Sequence, residues 1–151
     1  MNEMLGNQYF MARNYSAAQI HLQEFLNSHP DNKYAKRKII VCYTQTGKME
    51  NAYNYFIELI DEDIEFIIDA DPIYDDCPCQ ELVEQIENQS DLNRDSFDFQ
   101  LMLGIIWLYC DVEKSASYFL KAKETNPDYP QIEYVYTKIL NYINTKHHQQ
   151  K

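Results

Sequence analysis

Cysteine, aspartate and histidine are the residues with which this 151-residue chain could do chemistry, and their spacing sets which chemistry that is. The densest group is Cys77-Pro78-Cys79. Proline suits the first position of a helix, which puts Cys77 at the N-cap of a helix over about 78–89, where the positive helix end lowers a thiol pKa. Asp75, Asp76 and Glu81 oppose a thiolate there. Two cysteines also fall short of a four-ligand zinc site, and no second close pair exists, so a metal or redox role for Cys77 and Cys79 ranks below a structural one. Asp69, Asp71, Asp75 and Asp76 suggest calcium. An EF-hand loop needs an oxygen ligand at position five, Gly at six and Glu at twelve. Counting from Asp69, those positions hold Ile73, Tyr74 and Gln80, so a solvated acidic loop is the reading. Asp61-Glu62-Asp63 suits a helix N-terminus. His21 and His29 are isolated, and His147-His148 stands near the end. No His has a nucleophile and an orienting carboxylate placed beside it, and no Gly-rich phosphate loop exists. The expectation is therefore no catalytic, cofactor-binding or metal-ligating residue, no cofactor and no enzyme activity.

The elements that would position such residues are helical. Three glycines and five prolines are few for an all-β chain with its many tight turns. No run of apolar residues is long enough to span a membrane, and no basic segment followed by an apolar stretch marks a secretory signal. A cytoplasmic protein with reduced thiols is expected. The net charge is −11 and uneven: residues 58–98 sum to −14, the rest to +3. Nucleic acid is excluded as a partner because phosphate binding needs clustered Lys and Arg. The one basic cluster, Lys33, Lys36, Arg37, Lys38 and Lys48, reads as a solvated helix face.

A spacing recurs. Leu5-Gly6 is followed by Tyr9, Ala18 and Pro30; Leu103-Gly104 is followed by Trp107, Ala116 and Pro127. Gly to aromatic is three residues both times, and Gly to Ala is twelve. Shifting the first unit by 34 places Leu5 on Ile39, Tyr9 on Tyr43, Ala18 on Ala52 and Leu22 on Phe56. Gly6 falls on Ile40, which should push that pair of helices slightly apart. Helices are expected over 3–12, 15–28 with Asn14 as N-cap, 33–46 ending at Gly47, from 50 onward, 96–110, 113–125 and 131–146. Their apolar stripes are Met4, Leu5 and Tyr9, with Met11 as a further candidate; Ala18, Leu22, Phe25 and Leu26; Ile39, Ile40, Cys42 and Tyr43; and Ala52, Tyr53, Phe56, Leu59 and Ile60.

These residues resemble the tetratricopeptide repeat family, whose unit is a 34-residue helix–turn–helix with a W-x2-L-G-x2-Y, A-x3-F, P pattern. Residues 2–60 and 96–146 carry the resemblance. The family's first Trp is replaced by Asn2, Lys36 and Gln100. The resemblance implies an all-α helix–turn–helix repeat solenoid of about eight antiparallel helices. It would form one domain over 1–146, with units 2–32, 33–60 and 96–128, a degenerate acidic segment 61–95, a terminal helix 131–146 and a disordered tail 147–151. In the acidic segment, helices at 62–70 and 78–89 flank a loop at 71–77, or 50–70 is one unbroken helix.

The resemblance further implies a concave groove on the first helices of each unit, lined by Asn7, Phe10 and Met11, then Arg37, Val41, Thr44 and Gln45, then Leu101, Ile105, Leu108 and Tyr109. Asn7 matches the family's backbone-gripping asparagine. Glu3 and Lys38 replace the Lys and Asn with which one subgroup clamps chaperone carboxylates, so that specificity is not expected. The implied function is a non-catalytic protein–protein interaction module that receives a peptide or helical segment. The alternative is a self-associating structural scaffold, a homo-oligomer built on the apolar last helix and the acidic middle.

Overall fold

A computed structural model describes residues 2–89 and 94–149, with side chains as far as Lys146. Among the described residues there are eight helices and no strand: α1 (Asn2–Met11), α2 (Tyr15–Ser28), α3 (Lys33–Gln45), α4 (Met49–Ile68), α5 (Cys79–Glu87), α6 (Phe97–Trp107), α7 (Val112–Thr125) and α8 (Ile132–Gln149). Helices consecutive in the chain pack on one another within each unit, α1 on α2, α2 on α3, α5 on α6, α6 on α7 and α7 on α8, as in an all-helical protein. The chain closes into two compact units, Met1–Ile67 and Ile68–Lys151.

In the first unit α1 crosses α2 at Gly6. A Cβ there would lie 2.9 Å from Leu22 Cγ and 3.3 Å from the Leu22 backbone nitrogen, so only glycine permits this approach. The crossing sets the rotation of α1. Gly6 and Phe10, one turn apart, are buried, while Met4 and Leu5 turn outward at 55% and 41% exposure. The stripe expected through Met4 and Leu5 is thus displaced around the helix. Asn14 caps α2 by accepting from the Ala17 amide at 3.2 Å, as its residue type dictates. Ala18, Leu22 and Leu26 are buried; Phe25 is only half-buried and stacks on His29. Asn32 caps α3 through the Ala35 amide at 2.9 Å.

Helix α4 breaks where its acidic run sits. Asp63 has φ −164° and ψ 85°, extended values inside a helical span. The separate second helix expected from about 62 therefore begins just beyond Asp63, and it is shorter than the 62–70 anticipated. Ala52, Tyr53, Phe56, Leu59 and Ile60 all point inward from the longer first half.

In the second unit α6 crosses α7 at Gly104, where a Cβ would stand 2.9 Å from two ring carbons of Phe119. The Ser115 hydroxyl donates to the Gly104 carbonyl at 2.6 Å and seals the crossing. Asp111 caps α7 through the amides of Glu113 and Lys114. Helix α5 packs on α6, and α8 on α7. Ile132, Val135 and Ile139 are buried. Helix α8 runs to Gln149, past the point where a tail was expected. Residues 90–93 lie outside the described residues.

Several tight turns use no glycine. Arg13, Asp76 and Gln131 adopt φ of 62°, 50° and 60°, alongside Gly47 at 77°.

Candidate functional site

Helix α3 is buried on nearly every side, and the short end of α4 covers part of it. Phe66 lies edge-on to Tyr34 at 5.0 Å. The Arg37 guanidinium sits 4.1 Å from the Phe66 ring centroid and donates to the Phe66 carbonyl at 3.0 Å. Lys33 pairs with Asp63 at 3.1 Å, and Lys36 approaches Glu62 at 3.7 Å. A cation on an aromatic face plus a charged hydrogen bond makes a firm contact once water is excluded. This corrects the reading of the basic cluster as a solvated face for its α3 members, while Lys48 stays exposed. Lys36 and Arg37 are 4% and 6% exposed: Glu62 approaches the Lys36 ammonium, and the Phe66 carbonyl and ring receive the Arg37 guanidinium.

The residues expected to line a groove are engaged in the same way. Asn7 accepts from Lys38 Nζ at 2.9 Å, and Phe10 is buried near the same ammonium. The Thr44 hydroxyl donates to Val41 O at 2.6 Å, and Gln45 donates to Thr44 Oγ1. Val41, Leu101, Ile105, Leu108 and Tyr109 are buried. Met11 reaches solvent, at 65% exposure. The structure brings Asn7, Phe10, Arg37, Val41, Thr44 and Gln45 together on α1 and α3 of the first unit, and the remaining four on α6 and the turn after it in the second.

An open cleft lies elsewhere in the first unit, between α2 and the long half of α4. Its volume is about 700 Å³. Helix α2 and the turn after it contribute Gln23, Leu26, Asn27 and Pro30; α4 contributes Asn51, Asn54, Tyr55 and Glu58, with Glu50 at the rim. Both sets follow the i, i+3, i+4, i+7 spacing of a single helix face. The floor is a hydrogen-bonded chain: Tyr43 OH donates to Gln23 Oε1 at 2.6 Å, and Gln23 Nε2 donates to Tyr55 OH at 2.9 Å and to Asn27 Oδ1 at 3.0 Å. The Tyr43 and Tyr55 rings stack with centroids 6.4 Å apart. Burial first, then Tyr55, raises the Tyr43 phenol above its ordinary value, opposed by a hydrogen bond with Asn51. Above this floor, Asn54, Glu50 and Glu58 are exposed, and their side chains make no hydrogen bond or ion pair with the described residues. Reading for core stripes passed over these positions because they are polar. The signal that would have found them is the polar i, i+3, i+4, i+7 set on a helix whose other face is apolar. A smaller cleft of about 370 Å³ lies between α1 and α2, beside Met4, Phe25 and His29.

The cysteines do not assemble a site. Helix α5 begins at Cys79 with Pro78 as its N-cap and no side-chain cap bond, so Cys77 lies one position before the N-cap and not at it as expected. Cys79 is buried. The Cys110 thiol is pushed up to about 12 by desolvation first, then by Cys77 and Asp111, although the residue as a whole stays exposed. Burial likewise pushes Cys42 up to about 12. Raised thiols are poor nucleophiles. Among the described residues, no three His, Cys, Asp or Glu side chains gather as metal ligands. The acidic loop folds on itself: Asp71 Oδ1 accepts from the amides of Ile73 and Tyr74, each at 2.8 Å. This leaves Ile73 and Tyr74 86% and 91% exposed. In the second unit Glu87 accepts from Trp107 Nε1 and from Tyr118 OH, both at 3.1 Å, an internal bracket rather than an open site. No described helix is long and apolar enough to cross a membrane.

No family model matches this chain, and neither does any curated protein or solved structure.

Proposed function

We propose that the chain is a non-catalytic, cytoplasmic interaction module of the tetratricopeptide kind that holds a segment of a partner protein. The observation that supports this reading most is the repeated device of a glycine crossing, Gly6 on Leu22 and Gly104 on Phe119. It builds stiff helix pairs whose outer surfaces are left for recognition. Of the groove residues on α1 and α3, Arg37 is held by the end of α4, and Phe10, Val41 and Thr44 are buried. The α2–α4 cleft is open as it stands, so it is the surface this reading uses. Affinity capture with the purified chain, followed by reconstitution with each captured protein in pure form, tests the reading. A partner that rebinds stoichiometrically supports it. If no captured protein rebinds, the module has no segment to hold and the reading falls.

One observation favours self-association as a second reading. Met4, Leu5, Met11 and Ile20 put apolar side chains on the outside of α1 and α2, and exposed apolar patches mark contact surfaces. Light scattering on the purified chain separates the two readings: a monomer at high concentration removes self-association.

A further inference from the structure

The α2–α4 cleft has a chemistry of its own, and we infer that it takes an extended peptide segment bearing two basic side chains about four residues apart. The inference rests on the interaction-module reading and narrows it to one ligand class.

Carboxamides set the first part of the argument. Asn51 and Asn54 face the cleft from α4, with Gln23 and Asn27 opposite. Each side-chain amide offers donors and an acceptor that match the peptide main chain in any sequence. Gln23 and Asn27 already hold one another and Tyr55, so that wall is stiff. Asn54 is uncommitted among the described residues and free to grip a ligand. A helical ligand satisfies its own backbone and leaves such amides idle. An extended one presents N–H and C=O groups to them.

Charge sets the second part. The cleft's lining holds two carboxylates, Glu50 and Glu58, and no Lys or Arg. Both carboxylates are exposed and lack a cation among the described residues. They stand eight residues apart on α4, which is about 12 Å along a helix axis. An extended peptide advances about 3.3 Å per residue, so residues four apart lie about 13 Å apart and point to the same side. Basic side chains at that interval reach one carboxylate each while the intervening main chain passes Asn51 and Asn54. An acidic segment would meet repulsion at both ends. A wholly apolar one would strip water from the amides without replacing their hydrogen bonds.

The test uses the full chain, immobilised, against a phage library of random dodecapeptides. The strongest selected peptide is then synthesised with a fluorescent label and titrated by anisotropy. Lys or Arg enriched at an interval of four residues is the expected consensus. Glu50→Gln with Glu58→Gln should weaken binding about tenfold and flatten its dependence on salt. Asn54→Ala should weaken it about three- to tenfold at every salt concentration. Circular dichroism confirms that these surface variants keep their helices. Selected peptides whose binding ignores all three substitutions would overturn the cleft assignment and leave the interaction-module reading standing, since a segment would then bind elsewhere. A consensus without basic residues, still lost on Asn54→Ala, would overturn the cationic class. A library that yields no binder overturns the inference, while reconstitution with whole partner proteins decides the broader reading separately.

Discussion

The two halves of α4 behave in opposite ways. Past Asp63 the chain presses Phe66 onto Tyr34 and Arg37 and closes over α3. Before Asp63 the same helix turns a polar stripe of Asn51, Asn54 and Glu58 toward α2 and leaves a cleft. Composition explains the difference. The short half is Ile64-Glu65-Phe66-Ile67-Ile68, too apolar to stay in water. The long half buries its apolar face through Phe56, Leu59 and Ile60 and has polar residues to spare on the other. One extended residue at the junction lets each half follow its own preference. Sealing and opening are therefore neighbours in sequence, and they can be disturbed separately.

The largest expected effect falls on the sealed half. Arg37→Ala leaves the Phe66 carbonyl without its charged donor and the Phe66 ring without the nearer of its two cations, the other being Lys33 at 5.3 Å. It should cost about 2–3 kcal/mol, read as a lower urea midpoint. A loss below about 0.5 kcal/mol, the scale of an ordinary surface change, would show that the seal is loose. Next comes Gly6→Ala, which drives a methyl into Leu22 and shifts α2, one wall of the open half. Overpacking of this kind should cost about 1–3 kcal/mol, visible in the thermal midpoint. Raising the pH probes burial along α3. Cys42 is held neutral up to about 12 in the fold, whereas an unfolded thiol ionises near 8.5. Between those values the unfolded chain binds fewer protons, so stability falls with rising pH by about 1.4 kcal/mol per unit at most. Urea midpoints at neutral and alkaline pH should diverge, and Cys42→Ala should shrink the divergence. The smallest effect belongs to the open half: Asn54→Ala should change stability by less than about 0.5 kcal/mol. A larger loss would mean the cleft is a structural joint.

Much of the helical framework was legible in the residues. Gly6 and Gly104, with alanines twelve positions on, announced close crossings, and both glycines meet a buried side chain of the partner helix. Asn14 announced a cap and Gly47 a stop, because each residue type suits one local geometry. The break in α4 could be anticipated within a few residues but not decided, since nothing in 50–70 is Gly or Pro and an extended aspartate leaves no compositional mark. The burial of Lys36 and Arg37 was invisible because it depends on Glu62 and Phe66, which approach from another helix. The rotation of α1 was missed for a related reason. Apolar residue type alone placed Met4 and Leu5 inside, whereas the fit of Gly6 against Leu22 decided the face. The cleft eluded a search for apolar periodicity because its residues are polar, although they obey the same helical interval.

The scarcity of glycine has its own consequence. Arg13 and Gln131 turn the chain in the left-handed region without one, a conformation that costs a side chain about 1–2 kcal/mol. Arg13 recovers part of that through its guanidinium on the Phe10 carbonyl. Room for improvement has thus been left at two corners of the backbone, where removing a side chain altogether would make a sturdier molecule.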